Sequence, residues 1–222
     1  MSDLCLICHS QDLLTWSIGK KGRSYIACRR CEFVSLNPQY RISSELEKQR
    51  YLEHNNDATS SDYLNYVQGN FQNIEKMALS ELKSAKGSPA NISVLDFGCG
   101  REPILANLLK KDGYSVFLYD RYFFDGIEYL NETYDIVLLI EVIEHLADPR
   151  AKLLELKKRL KPGGKVLIRT EPLTFEEQFF KRWWYPGDKT HISFFNERSM
   201  RSLAATSGIK VESVQGPFFV LT

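Results

Sequence analysis

From residue 91 onward, short apolar runs alternate with segments whose apolar residues recur every three or four positions. Ile92 to Phe97, Ser115 to Tyr119 and Ile136 to Ile140 are such runs, and a continuous apolar run suits a strand buried on both faces of a parallel sheet. Residues 103–112 predict a helix with Pro103 in its first turn, Lys110 and Lys111 in its last, and Gly113 as its stop. Asp148 predicts the cap of a helix that carries Pro149 at its first position and ends near Leu160. Pro162-Gly163-Gly164 then predicts a turn into a strand over Lys165 to Arg169. A helix over 196–207, stopped by Gly208, leads to Lys210 to Val214 and Phe218 to Thr222, which read as a closing antiparallel pair. Alternating strands and helices predict a doubly wound α/β layer structure.

The first 90 residues carry a different pattern. Short strands are expected around Thr15-Trp16-Ser17 and Ser24-Tyr25-Ile26-Ala27, turning through Gly19 to Gly22 and closed by Asn37-Pro38. Residues 43–52 read as helix and 53–61 as a polar loop. Val67, Phe71, Ile74, Ala78 and Leu82 then predict an amphipathic helix that ends near Lys86, before Gly87-Ser88-Pro89. The expected organisation is a small ribbon over 1–40, a helical lid or linker over 41–90, and an α/β domain over 91–222.

A chain of 222 residues has room for one such domain and a small appendage. The net charge of +1 supplies no excess of cations for phosphate contacts and speaks against a nucleic-acid partner. No apolar run reaches membrane-spanning length, and Met1-Ser2-Asp3 opens no signal core, so the expectation is a cytoplasmic protein without a membrane partner. Four of the five cysteines change the picture most: Cys5, Cys8, Cys28 and Cys31 stand as C-x2-C-x19-C-x2-C. Two knuckles that each present two thiolates predict one tetrahedral zinc, and four thiolates fill its sphere, so the ion would be structural. The competing readings are two buried thiol pairs or a redox dithiol.

Val94-Leu95-Asp96-Phe97-Gly98-Cys99-Gly100 is a strand that ends in an acid and a G-x-G turn, with a helix to follow. In a doubly wound sheet that turn lies where cofactors bind, and its glycines let the ligand approach the backbone. Asp120, at the end of the next strand, is placed to accept hydrogen bonds from ribose hydroxyls; the plainer reading is a strand-end turn residue. These features, with Tyr134-Asp135-Ile136-Val137-Leu138-Leu139-Ile140-Glu141-Val142-Ile143-Glu144-His145-Leu146 and Leu160-Lys161-Pro162-Gly163-Gly164-Lys165-Val166-Leu167-Ile168, resemble the class I S-adenosylmethionine-dependent methyltransferases in order and spacing. The chain resembles, more narrowly, a small bacterial group of these enzymes with an N-terminal zinc ribbon. Tyr51-Leu52-Glu53-His54-Asn55-Asn56-Asp57 and the run from Trp183 to Phe195 are similar to that group's signatures. The resemblance implies a Rossmann-like fold and S-adenosylmethionine as cofactor. Gly98 and Gly100 would cradle its methionine end, Asp96 would orient the turn and Asp120 would hold the ribose. Two departures stand out. Arg101-Glu102-Pro103 replaces the family's third glycine, and only about fifteen residues separate Asp120 from the strand at Ile136, too few for the usual helix, strand and helix. The adenine-side wall should be short, with Asp125 as the acid at hand.

Glu141, Glu144 and His145 leave the tip of the Ile136 strand together, and carboxylates with imidazole suit Mg²⁺, Mn²⁺ or Zn²⁺. The pattern resembles ubiquinone-biosynthesis O-methyltransferases and small-RNA 2′-O-methyltransferases, in which two Glu and two His hold a divalent ion; His191 stands where the second His would come from. A metal-free role for His145 or His191 as general base is the alternative. The plainest reading leaves Glu141 on substrate, Glu144 as a cap and His145 packed. His54 and Asp57 in the polar loop, and Trp184 in the Trp183-Trp184-Tyr185 run, are candidates for substrate contact; a surface loop and lid packing are the alternatives. The expected function is methyl transfer to a small-molecule acceptor, with O-methylation ahead of N or C. An RNA methyltransferase that grips nucleic acid by its ribbon, or a non-catalytic cofactor-binding module, are the rivals.

Overall fold

The structure, a computed structural model, describes residues 4–18, 22–53 and 60–222. A six-stranded sheet forms its centre, in the order β5-β4-β6-β7-β10-β9. β4 (Ser93–Phe97), β5 (Ser115–Tyr119), β6 (Tyr134–Ile140) and β7 (Leu160–Arg169) run parallel. β9 (Val211–Gln215) and β10 (Phe218–Leu221) close the sheet antiparallel. The alternation of strand side chains sorts the core into two faces. Val94, Ile136, Leu138, Leu167 and Val220 pack under the helices that precede and follow β4. Leu95, Val137, Leu139, Val166, Ile168, Phe219 and Leu221 face the other way. Between β5 and β6 lies only a tight turn at 120–124 and a 3-10 turn over Glu128–Asn131, so the sheet ends at β5 and the connection is as short as the spacing predicts.

The helices keep their predicted places with adjusted ends. α4 (Ile104–Lys111) starts one residue after Pro103, which stands at the N-cap position without a side-chain cap bond. α5 (Pro149–Lys157) takes its cap from Asp148, whose Oδ1 accepts the Ala151 N–H at 2.9 Å, and α7 (Glu197–Thr206) opens on a capping box between Asn196 and Ser199. Pro162-Gly163-Gly164 does not precede β7 but lies inside it. The pairing with β6 slips between Tyr134 and Ile136, and Gly163 absorbs the irregularity at φ 76. The amphipathic stretch begins earlier than its apolar spacing suggests. α2 (Ser61–Ile74) runs through a π turn over Glu75–Leu79 into α3 (Ser80–Lys86), and Gly87 stops it at φ 74. A short α1 (Ser44–Glu53) precedes it, and α6 (Glu177–Arg182) lies between β7 and α7. Among the described residues, no helix is long and apolar enough to cross a membrane.

The N-terminal strands β1 (Leu13–Ser17), β2 (Ser24–Cys28) and β3 (Val34–Leu36) form a second sheet. Its fourth strand, β8 (Ser193–Phe194), comes from the far end of the chain, pairing Val34 with Phe194 and Ser35 with Ser193. Trp16, Tyr25 and Leu36 of this sheet share one buried cluster with Leu173, Phe180 and Tyr185.

At the opposite end of the central sheet from the site, the buried Asp135 carboxylate joins four elements. It accepts from Lys86 Nζ at 2.6 Å, Lys161 Nζ at 3.1 Å, and Ser93 N and Oγ at 2.9 Å each. Burial alone would raise its pKa, but these donors outweigh burial and bring it down to about 2. The folded-state pKa lies below the unfolded value, so the stabilisation is present above pH ~4 and is lost as pH falls through about 2. Asp135→Asn is expected to cost about 2–3 kcal/mol in urea unfolding at pH 7, a deficit that narrows at pH 3. An equal deficit at both pH values would show that the charge is not what matters.

Candidate active site

A cavity of about 950 Å³ opens across the carboxyl ends of β4 to β7. At one end lies the glycine turn. Gly98 (φ 82) and Gly100 (φ 71) hold left-handed backbone, and a Cβ on Gly98 would stand 2.4 Å from Val142 Cγ2, so that position has no room for another residue. The Gly98 and Cys99 amides donate to the Tyr119 carbonyl at 2.7 and 3.1 Å, which ties the turn to β5. Asp120 completes the tie: Oδ2 accepts Gly100 N at 3.0 Å, and Oδ1 accepts Tyr122 N and Phe123 N at 2.8 and 3.2 Å. The carboxylate therefore organises its own turn, and it lines the cavity as well. Asp96 is buried behind the turn. Desolvation, with Asp120 nearby, raises its pKa to about 7. Glu102 lines the cavity and pairs with Arg101 at 3.4 Å, and Asp125 is exposed, outside the cavity wall.

Helix α2 covers this end. Tyr63, Tyr66, Val67 and Asn70 line the cavity at spacings of three, four and seven. Apolar counting that starts at Val67 passes over Tyr63, Tyr66 and Asn70, yet the spacing of the four marks one helix face. Arg169, at the tip of β7, is a second residue that sequence reasoning missed. Its guanidinium stands 5.1 Å from the Tyr66 ring and bonds Glu171 at 2.8 Å.

At the other end, Glu144, His145 and His191 bring their ligand atoms within 4.8 Å of one another. Each imidazole is fixed from behind. His145 Nδ1 lies 3.0 Å from the Thr190 carbonyl and His191 Nδ1 lies 2.8 Å from the Tyr185 carbonyl. A carbonyl only accepts, so both Nδ1 atoms carry the proton and both Nε2 atoms are left as lone-pair donors. Glu144 is fully buried: Oε1 accepts from the Tyr185 hydroxyl at 2.7 Å, and Oε2 has no hydrogen-bond partner among the described residues. Burial, then the neighbouring His145, lowers the His191 pKa and keeps its ring neutral. An orphaned buried carboxylate oxygen beside two back-bonded imidazoles fits a divalent cation. Glu141 does not join them. Its backbone is left-handed (φ 55), and its carboxylate pairs with Arg169 and accepts from Tyr185 at 3.3 Å. Trp184 is 69% exposed at the cavity edge, while Tyr185 is buried and does the bonding. His54 and Asp57 lie outside the described residues.

The four ribbon cysteines also converge. Cys5 and Cys31 Sγ are 3.6 Å apart, as are Cys8 and Cys28, with all four within 4.8 Å. Tetrahedral zinc–thiolate bonds of about 2.3 Å place sulfurs about 3.8 Å apart. The two knuckles share one backbone form: His9 (φ 56) and Glu32 (φ 63) each follow the second cysteine in left-handed conformation, and their amides donate to the Cys5 and Cys28 carbonyls at 3.0 and 2.8 Å. The hydrogen bond from Cys31 draws the Cys5 thiol down to about 5, which favours a thiolate there.

A family model described as a methyltransferase domain matches residues 64–214. The ubiquinone biosynthesis O-methyltransferase of Caulobacter vibrioides is 34% identical over 95 residues, 39% of this chain and 36% of that one. The enzyme of the same name from Rickettsia bellii is 24% identical over 168 residues, 62% of this chain and 70% of its own. The match thus spans little more than a third of the Caulobacter relative's length. Among solved structures, the magnesium protoporphyrin IX methyltransferase of Synechocystis PCC 6803, with bound SAH, superimposes with a TM-score of 0.52 at 15% identity, covering 81% of this chain and 93% of that one. Such a likeness establishes the fold. The sheet order, the glycine turn at the tip of β4 and the family match agree, and the chain belongs to the methyltransferase-domain family.

Proposed function

We propose that this protein transfers a methyl group from S-adenosylmethionine to a hydroxyl of a small-molecule acceptor. One observation carries the reading: a single cavity is lined by the glycine turn at one end and by His145 and His191 at the other, with the buried Glu144 carboxylate within 4.8 Å of both rings' ligand atoms. The relatives named as O-methyltransferases support the chemistry, and the net charge of +1 supports a small acceptor over RNA. Gly98 and Gly100 would admit the methionine end of the cofactor, and Asp120 would offer its remaining lone pairs to the ribose. Glu144, His145 and His191 would hold a divalent cation, which supplies Lewis-acid polarisation of the acceptor hydroxyl. Tyr185 and the two backbone carbonyls keep those ligands aimed, and alignment of donor and acceptor is the larger part of the catalysis. Cys5, Cys8, Cys28 and Cys31 would hold a structural zinc, as in the zinc-ribbon group that the sequence resembles.

The test is calorimetry with S-adenosylhomocysteine. One molecule should bind per chain, and the affinity should rise by about tenfold from pH 6 to pH 8. The sign follows from Asp96, whose pKa is about 7 in the free protein. A ligand ammonium beside it favours the charged carboxylate, so binding expels a proton and strengthens until that proton is gone. Asp96→Asn should bind more weakly and lose the pH dependence. Absence of binding in the wild type would overturn the methyltransferase reading.

A further inference from the structure

The N-terminal ribbon meets the chain at the segment that builds the acceptor end. Residues 185–194 contribute His191 itself, the Tyr185 hydroxyl on Glu144, the Tyr185 carbonyl behind His191 and the Thr190 carbonyl behind His145. The ribbon holds this segment at two points and the chain just beyond it at a third. Ile192 is hydrogen-bonded in both directions: its carbonyl accepts from Leu36 of β3 at 2.8 Å, and its amide donates to the Glu144 carbonyl at 2.8 Å. Arg23, in the ribbon, donates to the Pro186 carbonyl, one residue from Tyr185. Glu32, the left-handed residue of the second knuckle, accepts from Asn196 Nδ2 at 2.7 Å and from Arg198 at 2.9 Å, which fixes the chain just beyond β8. Among the described residues, the bonds of the glycine turn run to β5 and to Asp120 and not to the ribbon.

We infer that the zinc-stapled ribbon is the outer wall of the acceptor end, and that Arg23 is a positioning residue for Tyr185 and His191. The inference rests on the acceptor-end reading above but not on the identity of the acceptor. The knuckles fold only around their ion, β2 and β3 hang from the knuckles, and β3 sets the register of β8. Without zinc, the residues that aim the cluster lose their backing while the cofactor end keeps its own bonds. The ribbon would then act on catalysis from within the fold, with no nucleic acid involved.

Hydrogen exchange on the full chain tests this, with peptides over 185–195 compared with peptides over 94–104. Withdrawal of zinc with a chelator, and separately Arg23→Ala, should each speed exchange in 185–195 by at least about tenfold. Exchange in 94–104 and the affinity for S-adenosylhomocysteine should stay within about twofold of the wild type. Arg23→Lys, which still offers a donor to the Pro186 carbonyl, should restore protection. Wild-type exchange in 185–195 after either treatment overturns the inference, and so does joint acceleration of both segments. Loss of the cofactor reading would show separately, as absent S-adenosylhomocysteine binding in the untreated wild type, and it leaves the exchange comparison intact.

Discussion

Replacing His191 by alanine should weaken Mn²⁺ binding at the acceptor end by on the order of 100-fold or more, since loss of even an outer partner of a metal ligand costs 10–100-fold. The expectation comes from three groups converging within 4.8 Å, each with its orientation fixed by a separate bond. Tyr185→Phe keeps the ring and removes the hydroxyl that donates to Glu144 Oε1 and also meets Glu141 and Thr170, so it should weaken Mn²⁺ by the smaller factor of about 10–100. Glu141→Gln should change Mn²⁺ affinity little, because that carboxylate is turned to Arg169. Electron paramagnetic resonance of Mn²⁺ titrations separates the three variants. Once an acceptor is in hand, a chelator too weak to strip the four-thiolate zinc should abolish transfer, and Mg²⁺ or Mn²⁺ should restore it. A wild type that binds no Mn²⁺ and loses activity through a single ionisation would return His145 and His191 to general-base chemistry.

The second large effect is expected in the ribbon. Protein purified without chelator should contain one zinc per chain, and Cys31→Ser should remove it. Structural zinc contributes about 10–16 kcal/mol to the folding of isolated zinc-finger peptides. Only part of that is expected to be lost here, because Cys5, Cys28 and Cys31 lie in the same buried cluster as Phe33, Phe195 and Met200. A loss of about 4 kcal/mol would lower the melting temperature by roughly 10 °C in a chain of this size. Calorimetric melting together with elemental analysis checks both parts. Protein that carries no zinc, or a Cys31→Ser variant that melts with the wild type, would sink the zinc reading.

Much of this was legible in the chain because its signals are local. The runs at Ile92, Ser115 and Ile136 became β4, β5 and β6, and the short stretch after Asp120 gave a sheet that ends at β5. The cysteine spacing and Glu144-His145 likewise carry their geometry within a few residues. Other features depend on contacts that no local pattern records. β8 is two residues long and pairs with a strand some 160 positions earlier, so its role could not be read from its own composition. The fate of Glu141 turns on a left-handed backbone that glutamate does not ordinarily favour, and on Arg169 from the neighbouring strand. The position of Asp120 at a strand end marks it as a candidate for the ribose, but its bonds to Gly100, Tyr122 and Phe123 emerge only once the two strand ends lie side by side. Tyr63, Tyr66 and Asn70 had a signal in their spacing, hidden because the apolar face of the same helix is stronger.

The π turn over Glu75–Leu79 gives that helix two independent masters. Upstream, α2 must keep Tyr63 and Tyr66 over the cavity. At the turn and beyond, Glu75 must meet Tyr114, at 2.7 Å, and Lys86 must reach Asp135, at 2.6 Å. In an uninterrupted α-helix each residue advances about 100°, so the two sets of partners would be locked in one phase. The wider turn carries an extra residue and frees the phase of one half from that of the other. Removal of a single residue there would swing the cavity face by more than a quarter turn while the anchor at Lys86 held. The aim of α2 can therefore drift between related chains by insertion or deletion at this one point, without any change in the sheet beneath it.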